Sequence, residues 1–191
     1  MNERCTVETN GRENELKKLA LAYCTNPGRT AAELAKEAGI SRATFYRVYQ
    51  SKDHLSHLLS EKAKDAFLSS VGMMKEEEDP KAVLCRMIDR CYENKEYIMV
   101  LCFGRNGADC HMEDKEIYEK GMNDFFLKGQ KEGIFRVDIP ATAMTQLFAG
   151  TMIALFEGEW EGKIASANLA AYWKNFFLDG ILSDKEREEN N

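Results

Sequence analysis

The stretch "TAAELAKEAGISRATFYRVYQSK", Thr30 to Lys52, constrains the fold more than any other part of the chain. Thr30 followed by Glu33 makes a capping box, in which the hydroxyl accepts from the Glu33 backbone N–H while that carboxylate reaches back to the Thr30 N–H. A helix therefore starts at Thr30. It ends near Glu37, because Gly39 supplies a positive-φ turn position, and Ser41 can cap the next short helix, through Tyr49. Two short helices joined this way need a small residue where they cross, a glycine in the turn and an apolar residue that seats the second helix. Ala35, Gly39 and Phe45 meet those needs at offsets of zero, four and ten, with Leu34, Ile40 and Val48 as further packing contacts.

Helical periodicity extends in both directions. A first helix spans about Asn14 to Thr25, with Leu16, Leu19, Ala20 and Tyr23 on one face, and "TNPGR" stops it. "QSKD" leads into a fourth helix with Leu55, Leu58, Leu59, Ala66 and Phe67 on its buried side. Beyond "KEEEDP", a solvated charge run ending at Pro80, the pattern predicts helices near Lys81 to Tyr92, Asn94 to Phe103, Asp114 to Lys131, Ala141 to Glu159 and Ser166 to Leu182. Within "GQKEGIFRVDIP", Gly133 ends one helix, Ile134 to Ile139 runs extended, and Pro140 opens the next helix at its first turn. Three prolines in a chain rich in Ala, Leu, Glu, Lys and Met point to an all-α fold of about nine helices with little or no sheet. The tail "SDKEREENN" is expected to be disordered.

Charge separates the two ends. Residues 1–52 carry nine Lys or Arg against six Asp or Glu, and the remainder carries 17 against 26, within a formal net charge of −6. The basic end can approach a polyanion; the rest is repelled by one. The N-terminus lacks the apolar core of a signal peptide and no run reaches the roughly 18 apolar residues of a membrane span, so a cytoplasmic protein with no membrane partner is expected. Six cysteines without a C-x-x-C pair read as reduced thiols. "CFGRNGADCH" is the nearest approach to a soft-metal or redox cluster, with Cys102, Cys110 and His111 across an inter-helix loop. No nucleophile, base and orienting group stand in a catalytic arrangement and no phosphate-binding glycine loop is present, so neither an enzyme nor a cofactor is expected.

With Ala35, Gly39 and Phe45 holding the unit together, Ser41, Arg42, Ala43, Thr44, Tyr46 and Arg47 are left on the exposed start and face of the third helix. In helix-turn-helix proteins that end enters the major groove. Over residues 12 to about 60, "AELAKEAGISRATFYRVYQSKDHL" resembles the DNA-binding signature of the TetR family of bacterial transcriptional repressors, including the "AGIS" turn, the Thr44-Phe45-Tyr46 triplet and the Ser51-Lys52 step. The resemblance implies a three-helix DNA-binding domain (residues 10–56), a larger helical ligand-sensing and dimerisation domain (57–183) and a short tail (184–191). It makes Arg42 and Ala43 candidates for base edges, and Thr44, Tyr46 and Lys52 candidates for phosphates. The chemistry agrees: arginine can donate twice to guanine, the alanine methyl can touch thymine, and hydroxyls, N-terminal amides and lysine suit phosphate oxygens. Ser41 belongs to the same helix start, and Thr30, at another, is a further phosphate candidate. Where many relatives place His or Tyr, this chain has Val48, and Arg47 is placed to supply the lost backbone contact. Tyr46 and Tyr49 can also be read as core residues, Arg47 as a solvated one, and His54 and His57 as solvated or facing the first helix, with metal binding as the alternative.

The remaining two thirds are rich in methionine and aromatic residues, which either fill a core or line a pocket for apolar or amphipathic ligands. The expected effector set is Met87, Met99, Phe103, Phe125, Phe126, Met144 and Phe148. The last two long helices, Ala141 to Glu159 and Ser166 to Leu182, are apolar enough to suggest a second partner surface. Leu147, Phe148, Leu155, Tyr172, Trp173, Phe176 and Phe177 exceed what one outer layer buries, and the family uses these helices for a homodimer on a roughly palindromic operator. The expected function is a dimeric repressor released by a small molecule. Two alternatives stay open: a thiol- or metal-responsive regulator using Cys102 and Cys110 with His111 or Cys85, and a DNA-bound structural or cell-division factor with no effector.

Overall fold

The computed structural model describes residues 3–26, 28–75, 77–103, 112–183 and 185, and the side chains of all of these except 3–10, 103 and 112–114. Among them run nine helices: α1 (Glu3–Thr25), α2 (Ala31–Glu37), α3 (Arg42–Tyr49), α4 (Lys52–Met73), α5 (Pro80–Glu93), α6 (Lys95–Phe103), α7 (Met112–Lys131), α8 (Ala141–Trp160) and α9 (Leu169–Ile181). The extended pairing among the described residues is one isolated antiparallel bridge, Phe135 with Leu182. Helix α1 begins at Glu3 rather than Asn14, because its first turns are polar and carry no apolar stripe from which a boundary could be read. Cys110, His111 and most of the tail lie outside the described residues.

Two compact units form. The first contains α1, α2, α3, α4 up to Ala66, and α6. Its core is Leu19, Ala20, Leu34, Phe45, Leu55, Leu59 and Tyr97, all buried. Polar contacts tie α1 to the helices around it: Tyr23 shares a hydrogen bond with Ser56 at 2.9 Å, the Tyr49 hydroxyl donates to Glu15 at 2.9 Å, and the Tyr97 hydroxyl donates to Glu13 at 2.7 Å. Burial first, then the carboxylate partner, pushes both tyrosine pKa values up, so these phenols stay neutral donors.

The second unit contains α4 from Phe67, α5, α7, α8 and α9. Aromatic rings fill it: Phe148 lies 4.9 Å from Trp173 and 5.4 Å from Phe177, and Phe126 lies 5.7 Å from Phe135. Such offset and edge contacts between rings suit their quadrupoles as well as burying large apolar area. Gly129 admits Phe135 into this cluster, since a Cβ there would sit 2.2 Å from the Phe135 ring. The 134–140 connection departs from the expected extended run. Gly133 turns the chain at φ 78°, Phe135 makes the single bridge, and bends follow, which the Gln130 side chain holds by donating to the Arg136 and Ile139 carbonyls at 2.7 and 2.8 Å. Pro140 is the N-cap of α8 rather than its first residue.

Candidate nucleic-acid interface

The reading head is built by local chemistry. The Thr30 N–H and hydroxyl donate to Glu33 Oε2 at 2.7 and 2.8 Å, and the hydroxyl accepts from the Glu33 N–H at 3.3 Å, which starts α2. These bonds, the backbone one first, hold the Glu33 carboxyl below the usual range, with Arg29 and Lys52 adding to the effect. At the other end Ile40 N–H reaches the Ala35 carbonyl at 2.9 Å and Gly39 N–H reaches that of Lys36 at 3.1 Å, the double bond pattern of a Schellman cap around Gly39 at φ 74°. Buried Ala35 and fully buried Phe45 then fix α3 against α2.

Ser41 caps α3 by accepting from the Thr44 N–H at 3.0 Å, and the Ser41 and Thr44 hydroxyls bond to each other at 2.9 Å. Two hydroxyls share one bond in that pair, so one proton remains to be donated outward. Arg42, Ala43, Tyr46 and Arg47 are exposed, and Thr44 and Lys52 are half-buried. The Arg42 Cζ lies 5.6 Å from the centroid of the Tyr46 ring. Helix α3 ends at Gln50, whose φ of 60° and ψ of −54° form a γ-turn closed by the Ser51 N–H on the Tyr49 carbonyl at 2.6 Å. That turn places Ser51 to cap α4 through the His54 N–H at 3.0 Å and puts Lys52 on its first turn.

One position departs from its sequence reading, and the structure resolves several that had two readings. Val48 was expected in the packing set but is 38% exposed, because the eight residues of α3 present only Phe45 and Tyr49 to the core. Tyr49 is packed, and Tyr46 is exposed, so the two tyrosines take opposite faces. His54 and His57 are exposed, with His57 3.8 Å from Glu61. Thr30 already gives both of its donors to Glu33, so a phosphate at that helix start meets a carboxylate first.

In the second unit Met87, Phe125, Phe126, Met144 and Phe148 are all buried. Met99 is buried in the first unit, and the side chain of Phe103 lies outside the described ones. The apolar residues of α8 and α9 divide. Phe148, Trp173 and Phe177 belong to the core, whereas Leu147 and Tyr172 are each 53% exposed and Phe176 is 72% exposed. The exposed set, with Gln146, Gly150, Thr151, Ala154 and Leu155, lines an open groove of about 520 Å³. Among the described cysteines, burial pushes the Cys24 thiol up to about 12 and Cys91 up to about 11, while Cys102 is exposed. No group of three or more His, Cys, Asp or Glu among the described residues is arranged to hold a metal ion, and no described helix is long and apolar enough to cross a membrane.

The chain is similar to known proteins in sequence and in fold. Residues 27–58, which span the capping box, the Gly39 turn and the start of α4, match the profile of the bacterial regulatory proteins of the tetR family. The HTH-type transcriptional regulator NfxB of Pseudomonas aeruginosa is 31% identical over 173 residues, which cover 88% of this chain and 92% of that protein. The nucleoid occlusion factor SlmA of Shewanella denitrificans is 37% identical over 81 residues, 41% of each chain. Among solved structures, the ketosteroid transcriptional regulator KstR2 of Mycobacterium tuberculosis superposes with a TM-score of 0.65 at 17% identity, covering 96% of this chain and 97% of that one. With a helix-turn-helix that matches the family profile and a relative that matches nearly end to end, the chain belongs to the tetR family of bacterial regulatory proteins and is a transcriptional regulator, not an enzyme.

Proposed function

We propose that the protein is a homodimeric, ligand-responsive repressor that holds a roughly palindromic operator through two copies of α3 and is released by a small apolar or amphipathic effector. The observation that carries this reading is the outward first turn of α3, with Arg42 and Ala43 exposed on the basic end of an otherwise acidic chain. Arg42 donates to guanine O6 and N7 and Ala43 meets a thymine methyl, while Ser41, Thr44, Tyr46, Arg47 and Lys52 take phosphates. Thr30 joins them only by giving up Glu33. DNA reading is assigned to residues 10–56, and effector binding and dimerisation to 57–183.

For the dimer, the support is the groove of α8 and α9. Phe176, Tyr172 and Leu147 project there beside Gly150 and Ala154, and small residues next to large exposed apolar ones allow a second copy to approach closely. For the effector, the support is that the soft or aromatic side chains Met87, Phe125, Phe126, Met144 and Phe148 are all buried inside the second unit. Selection of the full chain against a randomised duplex pool tests the reading. It predicts an enriched element of two inverted half-sites carrying two chains; no enrichment, or one chain per duplex, would reject it.

The 81-residue similarity to a nucleoid occlusion factor favours a second reading, a DNA-bound structural factor without an effector. A compound screen by thermal shift separates the two. A compound that binds the repressor must weaken operator binding by the same factor by which operator weakens its own binding. Ligands with equal affinity for free and operator-bound protein favour the structural factor.

A further inference from the structure

The geometry points to Tyr46 as a positioning residue for base reading: its ring holds the Arg42 guanidinium in the pose that reads DNA, in addition to any phosphate contact its hydroxyl makes. This rests on the proposed role of α3. Arg42 is the first residue of α3, where the helix dipole is unfavourable to a cation, and its side chain has several rotatable bonds to fix before it can donate twice to one base. An arginine left free at that place would lose much of its discrimination to the cost of ordering. The structure supplies the order. Residues i and i+4 of a helix are neighbours, and helical side chains lean toward the N-terminus, so Tyr46 leans back over Arg42. The guanidinium carbon stands 5.6 Å from the ring centroid, within cation–π range.

The ring is itself anchored. Phe45, fully buried in the core of the reading head, meets Tyr46 edge to face at 5.7 Å with an interplanar angle of 79°. Phe45 in turn packs on Tyr49 at 5.5 Å, whose hydroxyl is tied to Glu15 of α1. A continuous stack therefore runs from the core through Phe45 and Tyr46 to the base-reading arginine. Tyr46 is 43% exposed, so the ring meets Arg42 at the surface while Phe45 packs against it from the core.

The test uses the full chain and duplex selection with wild type, Arg42→Ala, Tyr46→Phe, Tyr46→Leu and the double variant Arg42→Ala/Tyr46→Leu. Arg42→Ala identifies the base position that Arg42 reads. Tyr46→Leu, which removes the π face, is expected to relax preference at that same position by about two- to fivefold, matching an exposed cation–π contact. The double variant is expected to relax it no further than Arg42→Ala alone. Tyr46→Phe keeps the face and is expected to keep the preference, weakening all sequences equally if the hydroxyl touches phosphate. Circular dichroism checks that Tyr46→Leu folds, and Tyr46→Trp serves as a second variant that keeps a π face and is expected to keep the preference. Three results overturn the proposal: unchanged preference in Tyr46→Leu, a uniform loss in Tyr46→Leu equal to that in Tyr46→Phe, or relaxation in Tyr46→Leu that persists at full size without Arg42. A wild type that selects no sequence overturns the reading of α3 itself.

Discussion

Replacing Phe176 with alanine should separate the proposed dimer without unfolding the chain. Phe176 is 72% exposed, so most of the gain from burying its ring is not yet made within one chain. Full burial of a phenylalanine is worth about 1.5–3 kcal/mol, so about 1–2 kcal/mol remains to be gained at an interface. A two-fold axis uses the residue twice, which brings the loss on Phe176→Ala to about 2–4 kcal/mol of dimer stability. At about 1.4 kcal/mol per decade, the dissociation constant of the proposed dimer should rise between roughly 30-fold and 700-fold. Sedimentation velocity over a concentration series measures it, and urea denaturation at concentrations where the chain is monomeric should give the same midpoint for both proteins. Trp173→Ala provides the contrast: Trp173 is fully buried, so its loss should lower the monomer's own midpoint by about 3–5 kcal/mol of stability. An unchanged dissociation constant in Phe176→Ala would remove the α8 and α9 groove from the dimer interface.

Three further outcomes follow from the same geometry. Lys52→Ala should weaken binding to every duplex about equally and lower the slope of log affinity against log salt by about one, as measured by anisotropy titrations; dependence on operator sequence would instead make Lys52 a base reader. Glu33 has a folded pKa held below its unfolded value, so its capping contribution is full above the unfolded pKa and is lost as pH falls through the folded one; Glu33→Gln should flatten that part of the stability–pH curve, and an unchanged curve would refute the assigned cause. Gly129→Ala should destabilise by about 1–3 kcal/mol in denaturant titrations, because the new methyl meets the Phe135 ring and the ring must leave the aromatic cluster; a neutral effect would mean the ring is not fixed there.

What could be read in the sequence was set by chemistry that acts over three or four residues. Thr30 with Glu33, Ser41 as a helix cap, and Gly39 after Glu37 each specify a cap or turn locally, and all three are present. Val48 was misplaced because α3 is too short for its apolar residues to define one face, and only packing against α1 and α2 decides which side is inward. Helices α8 and α9 pose the same difficulty at larger scale. They are apolar over most of their circumference, so periodicity could not separate Trp173 and Phe177, which are core, from Tyr172 and Phe176, which are not. The γ-turn at Gln50 carries no sequence signal, since a non-glycine residue at positive φ is held there by its surroundings. Gly129 reads as an ordinary helix residue until Phe135 folds back on it.

A structure of the full chain bound to its selected duplex decides whether the first turn of α3 reads DNA. Helix α3 is expected to enter the major groove by its N-terminus, with the Arg42 guanidinium within hydrogen-bonding distance of one guanine in each half-site and stacked on Tyr46. A duplex held by another surface, or Arg42 turned to solvent or to phosphate in both half-sites, would contradict it.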